Sequence, residues 1–103
     1  MMKKQAADQA LQDTTPLALY ARALTLDPSK ASLHNDYAVA LGHHGRWAEA
    51  VERFRAALAL REEERARLLA KGGGSDGRLE RKMERVRQNL EHAQRAVQAG
   101  AEL

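Results

Sequence analysis

The stretch Ala31–Leu60, ASLHNDYAVALGHHGRWAEAVERFRAALAL, fixes most of what this chain can fold into. Leu33, Tyr37, Ala38 and Leu41 recur at spacings of three and four, which puts them on one face of a helix. Gly45 falls where that helix must stop, because glycine adopts the left-handed backbone that closes a helix without a steric penalty. A second helix comes next, with Trp47, Ala50, Val51, Phe54, Ala57 and Leu58 on one face. Ala38 and Ala50 are small enough to let the two backbones approach. Tyr37, Leu41 and Phe54 then fill the space beside them.

This pattern resembles a tetratricopeptide (TPR) repeat, a 34-residue helix–turn–helix unit. Tyr37, Ala38, Leu41, Gly45, Ala50, Phe54 and Ala57 carry the resemblance. There are departures. His34 stands where a large residue is usual, and Leu41 where the first helix usually ends in an aromatic. Glu62 stands where a proline usually succeeds the second helix, so that helix is expected to run on. The register extends upstream. At an offset of 34 residues Tyr20 meets Phe54, Ala23 meets Ala57, Leu24 meets Leu58 and Leu26 meets Leu60. Asp27-Pro28 is the pair that usually closes such a repeat.

The expected fold is all-α: a short TPR-like α-solenoid of about five helices ending in a long antiparallel helical hairpin. It forms a single domain over residues 1–103. Residues 1–30 read as a degenerate first repeat and 31–62 as a complete one. Residues 63–103 read as an extended helix, a Gly-rich loop and a C-terminal capping helix.

In chain order, residues 3–13 read as a short polar helix with Ala6, Ala7, Ala10 and Leu11 as its apolar side, expected to fray. Thr15 and Pro16 are a helix-start pair, since Thr caps and Pro suits the first helical position. That helix should run to about Leu26. Ser29 is the expected cap of the next, which should run to about His44. No glycine or proline interrupts Trp47 to Lys71, a helix of roughly 37 Å. Its apolar stripe holds to Leu60, is broken by REEERAR as a solvated ridge, and resumes at Leu68, Leu69 and Ala70. Gly72-Gly73-Gly74-Ser75-Asp76-Gly77 reads as a hairpin loop in which Ser75 or Asp76 caps the last helix. It lacks the lysine and hydroxyl spacing of a phosphate loop. That last helix, about Arg78 to Ala99, carries Leu79, Met83, Val86, Leu90, Ala93 and Val97 at alternating spacings of four and three, a coiled-coil seam. The seam either folds back on the preceding long helix or joins a second copy. QNLEHAQ also resembles the first helix of a third repeat, so the element reads either as that or as a cap.

Composition limits the chemistry. Only 4% of the 103 residues are aromatic although 44% are hydrophobic, so alanine and leucine must supply most of the burial. Such a core is thin and expected to be marginally stable unless a partner or second copy adds area. Cysteine is absent, which removes disulfides, thiolate metal sites and a cysteine nucleophile. The start MMKKQAADQALQD has no apolar run after its lysines, unlike a secretory signal. No segment approaches the roughly 20 apolar residues of a membrane span. A cytoplasmic location is the expectation.

No cofactor or metal is expected. His43 and His44 are adjacent and diverge on a helix, His34 is out of phase with His43, and no H-E-x-x-H arrangement occurs. No catalytic constellation is visible, so a non-enzymatic role is expected. The resemblance implies a concave groove lined by first helices and holding a peptide or helix. Here that side is Ser32, Asn35, Asp36, Val39 and His43, a polar, small stripe. A clamp for acidic C-termini is not expected, since only Asn35 suits it and Asp36 opposes it. The expected function is non-catalytic protein–protein interaction, as an adaptor, co-chaperone-like module or assembly factor with a protein or peptide partner. The alternative is a self-assembling unit joined through the seam from Leu79 to Val97. Nucleic-acid binding is the weakest reading. Arg78, Arg81, Lys82, Arg85 and Arg87 share one helix, but Glu80, Glu84 and Glu91 are interspersed and no stacking aromatic is near.

Overall fold

The computed structural model describes residues 15–73 and 77–100. Four helices and no strand occur among them: α1 Pro16–Leu26, α2 Ala31–His43, α3 Trp47–Ala70 and α4 Arg78–Gln98. About five were expected. The additional helix was expected over residues 3–13, which lie outside the described residues, as do Ser75 and Asp76. None of the described helices is long and apolar enough to cross a membrane.

The ends of the helices are set by local chemistry. Thr15 Oγ1 accepts from the Ala18 N–H at 3.3 Å, and Pro16 opens α1. Ser29 does not cap α2. Its hydroxyl donates instead to Asp27 Oδ1 at 2.9 Å, and the position before the helix is Lys30, whose side chain makes no capping bond. Ser29 lies one residue before that capping position. His34 holds the linker: its Nε2–H donates to the Pro28 carbonyl at 2.7 Å. His34 is buried, and its Nδ1 has no partner among the described residues.

Gly45 has φ 72°, and two bonds close α2 around it. The Gly45 N–H donates to Gly42 O at 3.0 Å and the Arg46 N–H to Leu41 O at 2.9 Å, the paired closure of a Schellman motif. Gly72 closes α3 in the same way, with Gly72 N–H to Leu69 O and Gly73 N–H to Leu68 O, both 3.1 Å. The glycines therefore act as stops at both hairpin turns.

The helices pack in succession. α1 lies on α2, α2 on α3, and α3 on α4, while α2 and α4 meet only lightly. The core comprises Ala38, Leu41, Ala50, Val51, Phe54, Ala57, Val86 and Ala93, with Leu17, Tyr37, Trp47, Leu58 and Leu90 packed against it. Half of those buried positions are alanine, so the helices pack closely rather than around large side chains. The Cα radius of gyration is 16.5 Å, against about 13 Å for a globular chain of this length. The molecule is elongated, and 15 Å across its thinnest dimension.

The long helix α3 is read correctly to Ala70, but its apolar stripe does not resume as a buried one. Leu68 and Leu69 are 39% and 60% exposed.

Gly42 escapes a period-based reading. A Cβ built there would lie 2.6 Å from Trp47 Cζ3, so the indole rests on the glycine's bare backbone. Gly42→Ala would gain about 1 kcal/mol of helix propensity and lose about 1–3 kcal/mol to overpacking. We expect a net loss of about 1 kcal/mol in urea unfolding, with shifted Trp47 emission. A raised midpoint would contradict the contact.

Candidate functional site

Two pockets lie between α2 and α4, one on each side of an Asn35–Asn89 contact, and together they make a groove with two ends. Its first end is lined by Ala31, Ser32, Asn35 and Asp36 of α2, Arg61 of α3, and Arg78, Arg81, Lys82, Arg85 and Val86 of α4. Its second end is lined by Ala38, Val39 and His43 of α2, Trp47 and Phe54 of α3, and Asn89 and His92 of α4. The N-terminal residues of α2 and α4 share one end and their later residues the other, so the two helices run in the same sense. α3 runs oppositely and forms the floor. Between the ends, Asn89 Nδ2 donates to Asn35 Oδ1 at 3.5 Å, a long and therefore weak bridge.

The five-residue stripe read on α2 is thus brought to one groove. Ser32, Asn35 and Asp36 lie at its first end, Val39 and His43 at its second. Asp36, Val39 and His43 are exposed, and Ser32 and Asn35 half-buried. The opposite wall escaped the sequence reading. Arg61 and the α4 bases are far from α2 in the chain, and only the rotation of α4 on α3 aims them at it.

That rotation also settles where the α4 seam lies. Leu79, Met83, Val86 and Ala93 are buried within this chain, with α4 packed on α3. Leu90 is half-buried against the core, and Val97 remains 38% exposed.

The charges divide into two groups. Arg46 meets Glu49 at 2.8 Å, Arg55 meets Glu52 at 3.6 Å, Arg61 meets Glu64 at 3.0 Å and Arg87 meets Glu84 at 3.5 Å, each pair three residues apart in sequence. Such surface pairs add little stability. Arg81, Lys82 and Arg85 have no carboxylate within ion-pair distance among the described residues, and neither have Arg53, Arg65, Arg67 and Arg95.

At the second end, the Trp47 and His92 rings meet edge to face, with centroids 5.3 Å apart and planes at 76°. This joins the start of α3 to the later half of α4. A separate shallow cleft lies between α1 and α3, over Tyr37 and Leu41. Tyr20 approaches Tyr37 there, with centroids 6.5 Å apart. Among the described residues, no three His, Cys, Asp or Glu side chains are grouped to hold a metal.

Compared with protein-family models, with curated proteins and with solved structures, the chain matches none. The tetratricopeptide resemblance therefore rests on its residues alone.

Removing the ring at His92 should expose the indole. We expect His92→Ala to move Trp47 emission to longer wavelength and to cost about 0.5–1.5 kcal/mol, the value of an aromatic contact. Unchanged emission would contradict the edge-to-face placement.

Proposed function

We propose that the chain is a non-catalytic protein–protein interaction module, a short TPR-like stack whose α2–α4 groove receives an extended segment of a partner. One observation carries the reading: Ser32, Asn35, Asp36, Val39 and His43 share a groove with a second helix as its far wall. The alternation of helices supports it too. α1 and α3 flank one cleft and α2 and α4 the other, the order in which stacked helical hairpins would fall. Nucleophile and base are not paired in the groove; its first end, ≈ 330 Å³, is at the bottom of the roughly 300–1,000 Å³ range of small-molecule sites, and its second, ≈ 210 Å³, falls below it. Their size suits individual side chains of a peptide.

Self-assembly through Leu79, Met83, Val86, Leu90, Ala93 and Val97 has less support, because four of the six are already buried within the chain. An adaptor or assembly-factor role is the better reading, in a cytoplasmic setting.

Display selection of random peptides against the whole chain tests the proposal. Enriched peptides should perturb the amide resonances of Ser32, Asn35, Val39 and Asn89. Val39→Arg, at an exposed position inside the groove, should weaken binding about tenfold or more while leaving the helical circular dichroism intact. Perturbations confined to the α1–α3 side, or no enrichment at all, would overturn it.

A further inference from the structure

We infer that the segment held by the groove is acidic and sits in a fixed register: its side-chain carboxylates lie against the Arg61–Arg85 end and an apolar side chain enters the Val39–Trp47–His92 end. This rests on the interaction role proposed above and names its partner chemistry.

The first end is lined by five bases against one carboxylate, Asp36; Arg61 is already engaged by Glu64 at 3.0 Å and Arg78 is not without a partner, so the charge open to a ligand is that of Arg81, Lys82 and Arg85. The whole chain is nearly balanced, with 17 Lys and Arg to 14 Asp and Glu, so this is a local segregation of charge. Arg46, Arg55 and Arg87 each meet a glutamate three residues away, whereas Arg53, Arg65, Arg67 and Arg95 stand singly on other faces without an ion pair among the described residues. Arg81, Lys82 and Arg85 find none among the described residues. They fall within about one and a half turns of α4, so their fields overlap within a Debye length. The N-terminal ends of α2 and α4 point the positive ends of their dipoles the same way. A run of carboxylates would neutralise a potential that the fold leaves open.

The second end has the opposite character. Val39, Ala38, Phe54 and the Trp47 indole line it with His43, His92 and Asn89, and no Lys, Arg, Asp or Glu is on the lining. An apolar side chain gains there by leaving water. Ser32 and His43 are separated by about 16 Å along α2. An extended peptide covers that in about five residues. Midway, the weak Asn35–Asn89 contact leaves both amides able to turn to a peptide backbone.

Phosphates would also be drawn to the bases, but a nucleic acid needs rings on which to stack. The basic end has none on its lining. The ring pair lies at the other end of the groove.

The test uses the full chain and an acidic hexapeptide that ends in leucine, labelled with an uncharged nitrobenzoxadiazole fluorophore and capped at both termini, so that only side-chain carboxylates carry charge. Trp47 is the single tryptophan and reports on the apolar end. Anisotropy should show binding that weakens steeply with salt. Arg81→Glu with Arg85→Glu should weaken it about tenfold or more, and so, to a lesser degree, should the milder pair Arg81→Gln with Arg85→Gln. Arg87→Glu, outside the groove, should leave it within about twofold. The leucine peptide should shift Trp47 emission, and a glycine-ended version should not. Equal affinity for the glutamine version of the peptide would overturn the acidic proposal and leave the interaction role standing. If neither peptide, nor any selected from a random library, perturbed groove residues, both would fall. Tighter binding of oligothymidylate with the same dependence on Arg81 and Arg85 would overturn the peptide in favour of nucleic acid.

Discussion

The close approach of α3 to the helices on either side of it governs the rest of this structure. Ala38, Ala50, Ala57 and Ala93 are all at most 1% exposed. They let α2 and α4 settle on one helix near enough that their free edges face each other. Larger side chains there would spread the pair and open the groove floor. Phe54, Leu41 and Met83 supply bulk where space remains. The core is narrow, so loss of a large member has few neighbours to absorb it; Phe→Ala in a core costs about 3–5 kcal/mol.

Two glycines set the directions of the chain. Gly45 and Gly72 end α2 and α3 by the same bonding pattern, reversing the chain each time. The result is that α2 and α4 run alike and α3 opposes both. Their N-termini therefore meet at one end of the groove, beside the α4 bases, while the aromatic contact of Trp47 with His92 marks the other. A groove with unlike ends discriminates by register as well as by composition. That is how a small surface can choose among ligands.

The α2–α3 hairpin was legible in the sequence because its apolar residues recur at the helical period and Gly45 interrupts them. The α2 stripe from Ser32 to His43 was legible for the same reason, being the residues left over from the buried face. Other features needed the third dimension. Gly42 reads as a weak point of a helix until Trp47 is placed on it. Ser29 reads as a cap, but the helix starts one residue later, with Lys30 at the capping position. Leu68 and Leu69 continue a period, but periodicity cannot say whether a neighbour exists to cover them. The basic wall depends on how α4 is rotated, which is dictated by burying Leu79, Met83, Val86 and Ala93.

The central claim is that α4 folds back on its own chain to make the second wall of the groove. Cysteine is absent, so Asn35→Cys with Asn89→Cys introduces a unique pair across that groove. Treatment with a short bismaleimide, then denaturing electrophoresis and peptide mapping, reads their proximity. The account predicts a Cys-to-Cys link within one chain of 11.4 kDa, at a yield independent of protein concentration. Linked dimers whose yield rises with concentration, or no link at all, would contradict it.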